Sequence, residues 1–190
     1  MKRTAYICLL VALAATAGAA RAETFRDGAT GLLFTDRLAG LSMVGVTDYE
    51  KERPGLGVGV GYNGPGITLT IYLYTLGMKS IPESPDSEVF RKHFDQCMVD
   101  IITAGQRGLY ADVKKLSEDR FSLGSGQAER TGLCGAFSFM QQGTARLSKV
   151  YLFVYKNNFL KIRYSYNRDV ETRGEATLDR VMKELGAMLH

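Results

Sequence analysis

Histidine, cysteine, serine and carboxylate side chains carry most protein chemistry, and in this chain they are few or poorly spaced. Histidine occurs only as His93 and His190, and cysteine as Cys8, Cys97 and Cys134. His93 and Cys97 are four residues apart, so a helix would set them on one face, and Cys134 would complete a three-ligand zinc set. That set lacks a fourth ligand at any standard spacing, and His93 reads better as a boundary residue of an apolar helix face. A Ser-His-Asp triad would also have to use His93. Gly124-Ser125-Gly126 is not G-x-S-x-G and has the composition of a turn. The acids Asp95, Asp100, Glu118 and Asp119 would serve glycoside hydrolysis only if two of them faced one bond. Nothing in their spacing brings two together, and surface acids usually serve solvation. Gly55, Gly57, Gly59 and Gly61 contain a G-x-G, but a phosphate-binding glycine loop must open a helix. Here the turn Asn63-Gly64-Pro65-Gly66 and another β-rich run follow. The chain therefore presents no catalytic, cofactor-binding or metal-binding set.

The elements that position these residues follow from periodicity. The four glycines at every second position share one face of a strand, with Leu56, Val58, Val60 and Tyr62 on the other. Bare backbone of that kind lets a ring or a helix come close. Ile67, Leu69, Ile71 and Leu73 alternate with Thr68, Thr70, Tyr72 and Tyr74, which completes a hairpin. Strands are also expected near Leu32–Phe34, over 41–48, as two short pieces in 113–123, and over 133–140, 147–155 and 159–166. Lys156-Asn157-Asn158 joins the last two, because asparagine tolerates the left-handed backbone of a tight turn. Asp86 or Ser87 caps a helix whose Phe90, Phe94, Cys97, Met98 and Ile101 share a face, ended by Gly105 and Gly108. Thr172 and Glu175 have capping-box spacing ahead of the stripe Leu178, Val181, Met182, Leu185, Met188 and Leu189. This order predicts an α+β fold: a largely antiparallel sheet with both amphipathic helices packed on one face.

If both helices cover one face, the other is open. Pairing the strands across the Lys156-Asn157-Asn158 turn assigns that open face Tyr72, Tyr74, Tyr151, Phe153, Tyr155, Lys161 and Arg163. Tyrosine beside arginine is the composition binding surfaces favour. The bland alternative is that such residues are simply good strand formers on a solvated face.

The N-terminus sets the compartment. Met1-Lys2-Arg3 is basic, residues 5–20 carry no charge, and Ala20-Arg21-Ala22 is a small-x-small cleavage site. These are the three parts of a secretory signal peptide. Residues 1–22 are expected to be removed, leaving one globular domain over 23–190 in the periplasm. The apolar run is short and alanine-rich for a membrane span. Nothing after it is apolar for long enough, so no transmembrane segment is expected after signal removal. Losing Lys2, Arg3 and Arg21 without any acid takes the net charge from +4 to +1, which gives no case for nucleic acid as a partner. The remaining 168 residues of the 190 bury roughly two thirds of their unfolded surface, enough for an unstapled core. In an oxidising compartment the pair Cys97 and Cys134, 37 positions apart, is expected to form a disulfide worth about 3–4 kcal/mol. The alternative is two buried free thiols.

Tyr49-Glu50, Pro54-Gly55-Leu56-Gly57, Pro65-Gly66, Ile81-Pro82 and Phe159-Leu160-Lys161-Ile162-Arg163 resemble a family of uncharacterised bacterial exported proteins over residues 40–166. The resemblance implies periplasmic export and transfers no functional residues. The strand–helix layout is also similar to PsbP-like domains, which implies a noncatalytic accessory role at fold level. The reading that follows favours binding over catalysis: a cell-envelope module that takes an envelope protein or a small ligand on the open sheet face. The competing reading is a small periplasmic hydrolase, which requires a cleft with a carboxylate or His93 at its base.

Overall fold

The computed structural model describes residues 24–189, and the expected leader lies outside the described residues. Among them, β1 (Thr24–Arg26) and β2 (Leu33–Thr35) make a short antiparallel ribbon. β3 (Arg37–Leu38), β4 (Leu41–Asp48), β5 (Val58–Gly64) and β6 (Ile67–Tyr74) run up and down, followed by helix α1 (Glu88–Gln106). β7 (Ala111–Leu123), β8 (Arg130–Gln141), β9 (Thr144–Tyr155) and β10 (Asn158–Asn167) form a second meander, and α2 (Glu171–Ala187) closes the fold. The sheet order is β3-β4-β5-β6-β10-β9-β8-β7, antiparallel throughout. The two meanders meet at a seam where β6 pairs β10, Ile67 opposite Tyr166 and Tyr74 opposite Phe159. This is the expected α+β class.

The helices lie on opposite faces of the sheet, which corrects the expectation that both share one. Phe90, Phe94, Cys97, Met98 and Ile101 of α1 pack with Leu133, Phe137, Val150, Leu152, Val154 and Phe159. Leu178, Val181, Met182 and Leu185 of α2 pack with Val60, Ile71, Tyr151, Phe153, Leu160 and Ile162. The reason lies in β9, whose Val150, Leu152 and Val154 face one side and Tyr151, Phe153 and Tyr155 the other, so each face needs its own cover. Ser87 caps α1 as expected, its Oγ accepting from the Phe90 N–H at 3.2 Å. The capping box at α2 does not form. Val170 occupies the N-cap without a side-chain bond, and Glu175 turns instead to Lys149 and Tyr166. Gly174 lets α2 settle on the sheet, since a methyl group there would lie 2.6 Å from Tyr166 Cγ. The two short strands expected over 113–123 are one strand, β7, with two register shifts against β8, as β-bulges produce.

The expected disulfide is also corrected: Cys97 and Cys134 are both buried and are not bonded to each other. Cys97 belongs to the α1 core and Cys134 to the α2 core, so the sheet stands between them. Burial pushes the Cys134 thiol up to about 11.

Candidate functional site

The register of β10 decides which expected face residues meet. β9 and β10 join through a two-residue turn in which Lys156 and Asn157 both take positive φ, with Tyr155 opposite Asn158. Lys161 therefore faces Leu152, and Tyr151 faces Ile162. Cross-strand partners point to the same side, so the seven residues expected together divide. Tyr72, Tyr74, Lys161 and Arg163 lie on the α1 side. Tyr151, Phe153 and Tyr155 lie on the α2 side, at 3%, 0% and 2% exposure, and are core. Tyr74 is buried too, its hydroxyl 2.7 Å from His93 Nε2. Tyr72, Lys161 and Arg163 remain half-buried and form the surviving part of the site.

Around them the structure gathers the glycine face read from the sequence and, with it, residues that sequence reasoning missed: Tyr49, Arg146, Ser148, Ser165, Phe139 and Tyr110. Gly59 pairs with Tyr72 and Gly61 with Thr70 across β5 and β6. Tyr72 and Thr70 in turn pair with Lys161 and Arg163 of β10. An added methyl at Gly59 would meet Tyr49 at 3.1 Å and Tyr72 at 3.2 Å, so the missing side chain is what seats this ring pair, stacked at 6.4 Å. Lys161 Nζ lies 4.5 Å from the Tyr72 ring centre and 5.4 Å from that of Tyr74. Further along, Arg146 of β9 donates to Gln141 Oε1 at 3.0 Å, to Thr68 Oγ1 at 3.1 Å and to the Ser165 carbonyl at 3.3 Å. Ser148 and Ser165 share a hydrogen bond of 2.6 Å beside it. The Arg163 guanidinium carbon is 5.9 Å from the Phe139 ring centre, and that ring stacks on Tyr110 at 4.1 Å. Burial lowers the pKa of Arg163; the phenols of Tyr110 and Tyr72 oppose the shift and the Arg146 charge reinforces it. Burial also lowers that of Arg146, against Tyr110. The arrangement is a polar, cationic and aromatic patch on strands, with the Tyr49 ring seated over Gly59 of β5. It is suited to holding a negatively charged or π-faced group.

The remaining candidates for chemistry are dispersed. His93 is buried, not at a boundary, held between Tyr74 and the Phe159 ring at 4.4 Å. Cys97 Sγ is 3.9 Å from it, but Cys134 faces the other side, and no cluster of metal-ligating side chains occurs among the described residues. Glu118 pairs with Arg91 and Lys115, Asp100 accepts from Gln96, and Asp95 and Asp119 are exposed. Among the described residues no helix is long and apolar enough to cross a membrane.

No family model and no curated protein matches the chain by sequence. Solved structures with a similar chain path include cyanobacterial PsbP (CyanoP) from Synechocystis sp. PCC 6803, at 11% identity and a TM-score of 0.49, over 86% of this chain and 93% of that one. A protein of unknown function from Pseudomonas aeruginosa aligns at 10% identity and a TM-score of 0.42, over 84% and 92%. The Ran-binding protein Mog1p from Saccharomyces cerevisiae aligns at 13% and 0.34, over 76% and 81%. At these identities the likeness is one of fold alone.

Proposed function

We propose that the chain is exported and serves as a noncatalytic binding or accessory domain of the cell envelope. It takes a protein partner or a small ligand on the α1 side of β5, β6 and β10. The basic start, the uncharged stretch and Ala20-Arg21-Ala22 support export to the periplasm. The observation that carries the binding reading is the platform of Tyr49, Tyr72 and Lys161 over Gly59. The half-buried Tyr72 ring and Lys161 cation, held on strands and backed by the buried Tyr49 ring, offer contact area at little entropy cost, as anchors of binding surfaces do.

The test is native mass spectrometry of the protein recovered from its own cell envelope. Extra mass that vanishes on denaturation is expected, and the denatured chain is expected to begin near Glu23. Tyr72→Ala and Lys161→Ala should each lose that mass while keeping a wild-type circular dichroism spectrum. Tyr151 is no substitute for Tyr72 here, because truncating so buried a ring costs about 3–5 kcal/mol. A bare wild-type chain, or extra mass retained by both folded variants, would count against the reading.

A further inference from the structure

Arg163 and Arg146 share the α1 side of the sheet, on the adjacent strands β10 and β9 beside Phe139. Arg146 sits opposite Phe139 in the register of β8 and β9, and Arg163 lies over that ring. Arg146 is clamped by Gln141, Thr68 and the Ser165 carbonyl, yet its Nε is buried without a hydrogen-bond partner. Arg163 Nη2 is buried and likewise unpartnered. Neither guanidinium pairs with a carboxylate among the described residues. An arginine cannot shed its charge to escape such a setting, and a buried charge without a counter-charge is costly. What relieves the cost is an anion with oxygens to receive the idle N–H groups, and the guanidinium fork fits carboxylate and phosphate alike.

We propose that Arg163 and Arg146 form an oxyanion site for a carboxylate or phosphate group, borne by the ligand or partner that occupies this face. This rests on the binding reading above and names the chemistry it recognises.

The test is calorimetric titration of the leaderless protein with inorganic phosphate and, separately, with acetate, at constant ionic strength held with chloride. Saturable binding of at least one is expected. Tighter phosphate marks a phosphoryl ligand; tighter acetate marks a carboxylate. Arg163→Met and Arg146→Gln should each weaken binding by about tenfold or more. Without added anion, Arg163→Met should melt at or above the wild-type temperature, whereas a purely structural arginine would lower it. Arg163→Lys keeps the charge without the fork and should also bind more weakly. No saturable binding of either anion, or binding unaltered in Arg163→Lys and Arg146→Gln, overturns the site. Loss of envelope-derived mass in Tyr72→Ala with no oxyanion binding removes this inference and leaves the face reading standing. Oxyanion binding with no envelope-derived mass does the reverse.

Discussion

Glu175 serves two partners, accepting from Lys149 Nζ at 2.7 Å and from the Tyr166 hydroxyl. Burial pushes its pKa up, but these hydrogen bonds outweigh that and hold the carboxyl below the usual range. A carboxyl depressed by folding contributes stability in full above its unfolded value and loses it as pH falls through the folded one. Glu175→Gln should therefore melt below the wild type at neutral pH, and the gap should close below about pH 4. The side chain is 41% exposed, so solvent screening keeps the gap under about 1 kcal/mol. Thermal melts of both proteins across pH would check this; a gap that widens in acid contradicts it. Glu175 had been visible in sequence as half of a capping box, and only the lysine and tyrosine that the fold brings to it redirect the side chain.

At the scale of elements, the seat of α2 depends on Gly174. Alanine there drives a methyl into the Tyr166 ring, which is itself 1% exposed and hydrogen-bonded. Gly174→Ala should cost about 1–3 kcal/mol despite alanine's better helix propensity, measurable by urea titration; a stabilised variant would contradict the close approach. The strands and helices themselves were legible because their cues are local. Leu41 to Asp48, the Gly59/Tyr72 hairpin and the Ser87 cap all announce themselves within a few residues. The face of β9 was not. Counting Lys156-Asn157-Asn158 as the turn, where Lys156 and Asn157 alone make it, shifts the pairing by one residue and sends Tyr151, Phe153 and Tyr155 to the wrong side. Arg146 was missed for the same reason, since its place beside Thr68 exists only in the true register.

The described residues make two cores with a sheet between them, and one thiol marks each. Cys97 reports on the α1 core and Cys134 on the α2 core. β9 and β10 contribute to both, so the cores should open together. In the leaderless protein, both thiols are expected to resist a thiol reagent when folded and to become reactive at the same denaturant midpoint. Separate midpoints would show that one core opens alone. Placement of the two helices on opposite faces could not be read from either helix, because each has an equally good apolar stripe. It was implied by the second half of β9 being apolar on both sides, a pattern that periodicity within one strand does not interpret. The seam between β6 and β10 carries a consequence in time. Residues 67–74 pair on one edge with residues 58–64, but the other edge is filled only when residues 159–166 are present, and closing so long a loop is slow. A chain threaded N-terminus first through a membrane channel would thus keep its first meander unsealed until almost all of it had crossed. The long-range seam would close last.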